Sequence, residues 1–175
     1  RAVECGVRSI EHGNLIDAPT AALMAERGAF AVPTLITYEA LARDGARLGL
    51  GAESVAKIEQ VRAAGLKSLE ILKTAGVRMA YGTDLLGASH DLQSEEFLIR
   101  AQVQSNLEVL QSATLIGAEL LNQVGVIGEI ASGARADLLL VDGNPLADLA
   151  CLTGQGERIP LVMQGGKLRV NELRA

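Results

Sequence analysis

Residues 54–84 read SVAKIEQVRAAGLKSLEILKTAGVRMAYGTD, and this stretch decides the fold. Val55, Ile58, Val61, Leu66, Leu69 and Leu72 recur at spacings of three to five, which predicts a helix with one buried face over 54–75. Gly76 stops it, and Val77-Arg78-Met79-Ala80-Tyr81 follows as a short apolar strand. Gly82-Thr83-Asp84 then turns the chain away. A long helix leading straight into a strand with a polar far end is half of a βαβ unit.

The same alternation continues on both sides. Upstream, a helix end at Glu4-Cys5-Gly6, with Gly6 as left-handed cap, precedes a strand over 7–11. Asp17 is the N-cap candidate of a helix with Pro19 in its first turn, running through Leu23 and Met24 to Gly28. Residues 29–37 read as a second strand, in which Pro33 predicts an irregularity or an end. Downstream, a loop over 82–92 leads to helices at 94–104, 106–112 and 114–123. Strand, helix, strand, helix, strand, helix implies a parallel α/β sheet, whose right-handed crossovers put every strand's C-terminal end on one side.

After Gly125 the texture changes. Residues 136–141 (ADLLLV) read as a buried strand, Asp142-Gly143-Asn144-Pro145 as a turn and 146–149 as a short helical stretch. Residues 159–164 and 167–170 flank Gly165-Gly166, a two-residue hairpin signal. Two units are therefore expected, 1–125 and 126–175, without internal repeats or a flexible linker.

Composition bounds the function. At 49% hydrophobic and 21% charged residues the chain can bury a core, which excludes intrinsic disorder. With 2% aromatics, no Trp and 19 Gly, that core must come from Ala, Val, Leu and Ile. A net charge of −5 with no basic stripe argues against nucleic-acid and anionic-membrane partners. Cys5 and Cys151 cannot build a disulfide scaffold, so a reduced, cytoplasmic setting is expected. No apolar run has the length of a membrane span. The chain opens on Arg1-Ala2-Val3 and reads as the continuation of a longer protein.

His12 directly follows the first strand and Asp84 the third, so both fall on the same rim of the sheet. α/β barrels place catalytic groups on that rim. Imidazole and carboxylate are ligands for Zn²⁺ and similar divalent metals. A histidine after a strand is also an ordinary loop residue, and Gly-Thr-Asp an ordinary turn with a helix cap, and both readings stay open here. Glu95 and Glu96 are assigned to the first turn of their helix through its dipole.

Taken together, Ser9-Ile10-Glu11-His12-Gly13, Gly82-Thr83-Asp84, Gly128-Glu129-Ile130 and the run from Gly133 to Pro145 (GARADLLLVDGNP) carry more. They resemble the C-terminal part of the amidohydrolase superfamily, most closely its imidazolonepropionase-like and Xaa-Pro dipeptidase (prolidase)-like members. The resemblance covers essentially the whole chain. It implies an α/β fold: strands six to eight of a (β/α)8 TIM barrel, followed by the C-terminal share of a small β-sandwich. His12 matches the strand-six histidine, a metal ligand in binuclear members and a substrate contact in mononuclear ones. Asp84 matches the strand-eight aspartate, a metal ligand and the proton shuttle for a metal-activated hydroxide.

The implied cofactor is a divalent metal, zinc above all, as one or two ions. Its other ligands (the strand-one His-x-His pair, the strand-four carboxylated Lys and the strand-five His) are expected upstream of Arg1. The activity expected of the full-length protein is hydrolysis of a C–N amide bond in a dipeptide such as Xaa-Pro. The stretch 32–41 (VPTLITYEAL) leans toward the dipeptidases. Cyclic-amide hydrolysis and deamination are alternatives, and a non-catalytic α/β binding or assembly module is the reading from another class. Tyr38 and His90 are secondary candidates for contacting substrate. The expected partners are a small-molecule or dipeptide substrate, the remainder of the barrel and a second copy of the chain as a homo-oligomer. Alone, the chain is expected to be inactive, because His12, Asp84 and His90 are its only plausible ligands where a hydrolytic Zn²⁺ site needs three held in geometry, and because three barrel strands leave two open edges.

Overall fold

The computed structural model describes residues 1–47 and 49–173. Two separate three-stranded sheets organise the chain. The first is parallel, in the order β1 (Ser9–Glu11), β2 (Phe30–Val32), β3 (Arg78–Met79). Helix α1 (Ala18–Glu26) connects β1 to β2, and α2 (Leu35–Asp44) with α3 (Ala52–Thr74) connects β2 to β3. Beyond β3 come a 3₁₀ winding over Gly87–Glu95, then α4 (Glu96–Arg100), α5 (Asn106–Ala113) and α6 (Leu115–Leu120). The second sheet is antiparallel: β4 (Leu138–Leu140), β5 (Leu161–Gln164) and β6 (Lys167–Asn171). No helix among the described residues is long and apolar enough to cross a membrane.

Local chemistry explains most of these boundaries. Asp17 caps α1 by accepting the Thr20 N–H at 2.9 Å, and the Thr20 hydroxyl, then this backbone bond, hold its carboxyl below the usual range. Gly76, at φ 74°, ends α3. Ser105 and Glu108 form a reciprocal capping box on α5. Gly165 and Gly166 both take positive φ, as the tight β5–β6 turn requires.

The main core is aliphatic. Ala21, Met24, Leu69, Leu72, Val77 and Met79 are buried between α1, α3 and the parallel sheet. Val109 of α5 joins Leu149, Cys151 and Leu152 in a second cluster.

Several expectations need correction. The segment 29–37 is not one strand: β2 ends at Val32 and α2 begins at Leu35. Pro33 has no N–H for a ladder, and a buried carboxylate from α4 takes up the free Ile36 N–H in the first turn of the new helix. That carboxylate belongs to Glu96, which is fully buried and serves α2 rather than the dipole of its own helix. The helix expected over 94–104 is shortened to Glu96–Arg100 by the 3₁₀ winding, and part of the supposed loop over 82–92 is that winding. The strand over 138–140 is an edge strand, with Leu139 and Leu140 at least half exposed, and not a buried one. The short helix expected over 146–149 is a turn leading to a 3₁₀ winding at Leu149–Leu152.

Candidate active site

The three parallel strands deliver their C-terminal ends to one rim. β1 runs out at Glu11, and the His12 N–H still donates to the Val32 carbonyl at 3.0 Å before the chain leaves the sheet. Beyond β3, the Ala80 N–H donates to the Ala31 carbonyl and the Tyr81 N–H to the Ser112 carbonyl, which fixes the exit toward Asp84.

Both departures are abrupt. His12 sits at φ 64° and Asp84 at φ 51°, a left-handed conformation that costs an L residue about 1–2 kcal/mol. The result is convergence: His12 Nδ1 lies 3.9 Å from Asp84 Oδ2, with both side chains about half exposed.

The start of α2 holds this pair. Thr34 Oγ1 shares a hydrogen bond of 2.8 Å with His12 Nδ1. Thr37 Oγ1 donates to the Asp84 carbonyl at 2.9 Å. Both threonines are buried. Tyr38 follows in the first turns of α2, half-buried, and burial and then the Asp84 charge push its hydroxyl up from the ordinary value. It therefore stays a proton donor at neutral pH. Behind the rim, burial pushes the Glu96 carboxyl up as well, opposed by the charge and hydrogen bonds of Arg100.

Gly82 makes room for this contact. A Cβ there would stand 2.6 Å from Val32 Cγ1 and 3.3 Å from Thr34 Cγ2. Gly82→Ala is expected to cost about 1–3 kcal/mol through overpacking. Equilibrium urea denaturation reads it, and an unchanged midpoint would show that the rim can yield freely.

The structure thus brings His12 and Asp84 together and sets Tyr38 beside the Asp84 charge. His90 stays apart: it is exposed in the 3₁₀ winding, and no hydrogen bond or ion pair among the described residues ties it to the other two. The sequence reading missed Thr34, Thr37, Glu96 and Arg100. The threonines lay hidden in a segment read as strand, where their spacing of three had no helical meaning. The only signal for the other two was the i, i+4 spacing of Glu96 and Arg100 around Phe97, Leu98 and Ile99.

The donor set suits a divalent metal in part. With Nδ1 engaged by Thr34, the Nε2 atom of His12 is the one left to bind, and a hydrogen bond on the other ring nitrogen orients ligating histidines generally. Asp84 offers an exposed carboxylate beside it. Among the described residues no group of three or more His, Cys, Asp and Glu side chains could hold an ion.

The model of the amidohydrolase family matches residues 1–168. The chain belongs to the amidohydrolase family. A solved amidohydrolase is 60% identical, with a TM-score of 0.96 over 99% of this chain and 42% of its own. A solved prolidase, complexed with N-methylphosphonate-L-proline, is 54% identical, with a TM-score of 0.94 over 97% of this chain and 42% of its own. Ochratoxinase of Aspergillus niger is 30% identical over 169 residues, which are 95% of this chain and 35% of that protein. This amidohydrolase chain therefore spans between 35% and 42% of the length of these three proteins.

Proposed function

We propose that the protein carrying this chain is a metal-dependent hydrolase that cleaves the C–N amide bond of a dipeptide, with Xaa-Pro peptides as the leading substrates. In this reading the parallel sheet supplies strands six to eight of a (β/α)8 barrel, and the β4–β6 sheet supplies the C-terminal share of a small β-sandwich. One observation carries the proposal: His12 and Asp84 converge to 3.9 Å on the C-terminal rim of a parallel sheet. The 54% identity to a prolidase solved with a phosphonate derivative of proline supports the substrate class.

His12 through Nε2 and Asp84 through its carboxylate hold a divalent metal, zinc being the leading candidate, together with ligands outside this chain. When bound, such a metal lowers the pKa of a coordinated water to about 7. Asp84 does the proton work: its carboxylate accepts a proton from the attacking water and returns it to the leaving nitrogen as the C–N bond breaks. The Thr37 bond to its backbone and the Thr34 bond to His12 hold both groups where that transfer needs them. Tyr38 donates its hydroxyl to the substrate carbonyl or carboxylate, and His90 is a second candidate for that contact.

Metal analysis of the full-length protein, with hydrolysis assayed across a dipeptide library, tests the reading. Stoichiometric metal with turnover of Xaa-Pro peptides is expected. Ammonia release from aminated heterocycles, or opening of a cyclic amide without dipeptide cleavage, would replace the peptide reading. Neither metal nor turnover would leave a binding module.

His12→Ala is expected to lower both metal content and kcat/KM, because the remaining ligands cannot complete the shell. Unchanged values of both would make His12 a bystander.

A further inference from the structure

We infer that the buried Glu96–Arg100 pair is a positioning device for the His12–Asp84 rim, acting through the turn from Pro33 to Thr37; the inference rests on the hydrolase reading above. Both side chains are completely buried, yet neither bonds to His12 or Asp84. Glu96 Oε1 accepts from Arg100 Nε at 2.9 Å, and Glu96 Oε2 accepts from the Ile36 N–H at 2.7 Å. Arg100 Nη2 donates to the Pro33 carbonyl at 2.8 Å and to the Ala80 carbonyl at 2.9 Å.

The pair therefore ties the end of β2 to the end of β3 and fixes the first turn of α2. The two threonines lie within and beside that clamped segment. Thr34, between Pro33 and Leu35, holds the His12 ring, and Thr37, next to Ile36, holds the Asp84 backbone. Each route from the pair to a site residue is two hydrogen bonds and one peptide neighbour long. Arg100 also lies 5.3 Å from the centre of the Tyr81 ring, which packs on Phe97 and leads by three residues to Asp84.

A purely space-filling role explains this poorly. A buried ion pair stabilises no better than apolar side chains of the same volume, because desolvation offsets the attraction. What it adds is direction, since three of its four bonds each fix a backbone group at a stated place. The groups fixed here are those that carry the site.

The test compares Glu96→Gln with the parent in the full-length, metal-loaded protein. Gln keeps the side-chain shape and an acceptor for Ile36 but turns an NH2 toward Arg100 Nε and leaves the guanidinium charge unpaired. A fall of about 10- to 100-fold in kcat, with KM within about threefold, is expected. Arg100→Lys serves where Glu96→Gln does not fold. Val109→Ala, in the second core cluster, is the control: it lowers Tm and leaves kcat unchanged. Thr37→Val combined with Glu96→Gln is expected to lose little more than the worse single variant, as groups acting through one another do.

A readout independent of activity is the ¹⁵N resonance of the His12 imidazole in metal-free protein. It is expected to report a protonated Nδ1 in the parent and a mixture of tautomers in Glu96→Gln. A folded variant with kcat and the His12 resonance both unchanged overturns the inference, as does a loss of kcat that merely follows Tm. A parent that hydrolyses no amide while the His12 resonance still moves sinks the hydrolase reading alone.

Discussion

Asp84→Asn in the full-length, metal-loaded protein is expected to lower kcat by about 10²–10⁴-fold, the range general acid–base catalysis contributes. Asn matches Asp in size and, like Asp, tolerates the left-handed backbone that position 84 requires. The Thr37 bond reaches the carbonyl of residue 84 and not its side chain, so the substitution leaves it intact. What disappears is the negative charge and the basicity that takes a proton from water. Steady-state kinetics at verified metal content, with thermal melting as the control for folding, reads the effect. Near-normal turnover at full metal content would remove Asp84 from the proton path.

Arg100→Leu carries the largest expected cost in stability, about 3–5 kcal/mol, because it strands a buried carboxylate. Leu fills much of the space but returns none of the bonds to Glu96, Pro33 and Ala80. The pH dependence carries a sign. Burial already raises the folded-state pKa of Glu96 above its ordinary value, and removing Arg100 removes the charge that opposes the rise. A group with a raised folded pKa contributes stability that is fully present below its unfolded pKa and lost as pH rises through the folded one. The gap between variant and parent is therefore expected to be smallest in acid and to widen toward neutral pH. Denaturant titrations between about pH 4 and 8 measure it. A gap constant across that range would show that Glu96 is not the group left stranded.

The sequence disclosed the parts of this fold that rest on local pattern. The helix Ala52–Thr74 agrees with its apolar spacing to within two residues, and the parallel order of β1, β2 and β3 agrees with the alternation of strand and helix. Asp17 and Gly6 do what their residue types imply. Pro33 marked the end of β2, but the turn into α2 was invisible because its capping carboxylate comes from a residue 60 positions away. Nothing local distinguishes the fully buried Glu96 from its half-exposed neighbour Glu95. The edge position of β4 was hidden for the opposite reason: an apolar run reads as buried whatever layer covers it. Of the candidate site, His12 and Asp84 were legible because both follow strands, whereas the threonines that hold them depend on a helix start that local propensity does not announce.

The distance along the chain between the rim and its anchor has a bearing on biosynthesis. The bond from Arg100 to Pro33 spans 67 positions. At ribosomal speeds of roughly 5–20 residues per second, about 3–13 s separate the two residues. Over that interval β1, α1 and β2 can pair through short-range contacts, but the Pro33–Thr37 turn has no partner for its Ile36 N–H. Nascent chains halted at residue 95 are expected to exchange the amides of residues 34–37 freely, and chains released at full length to protect them; equal protection in both would show that the turn forms unaided. The histidine of the rim is thus made well before the arginine that completes its support, and is held in place only once that arginine has joined it.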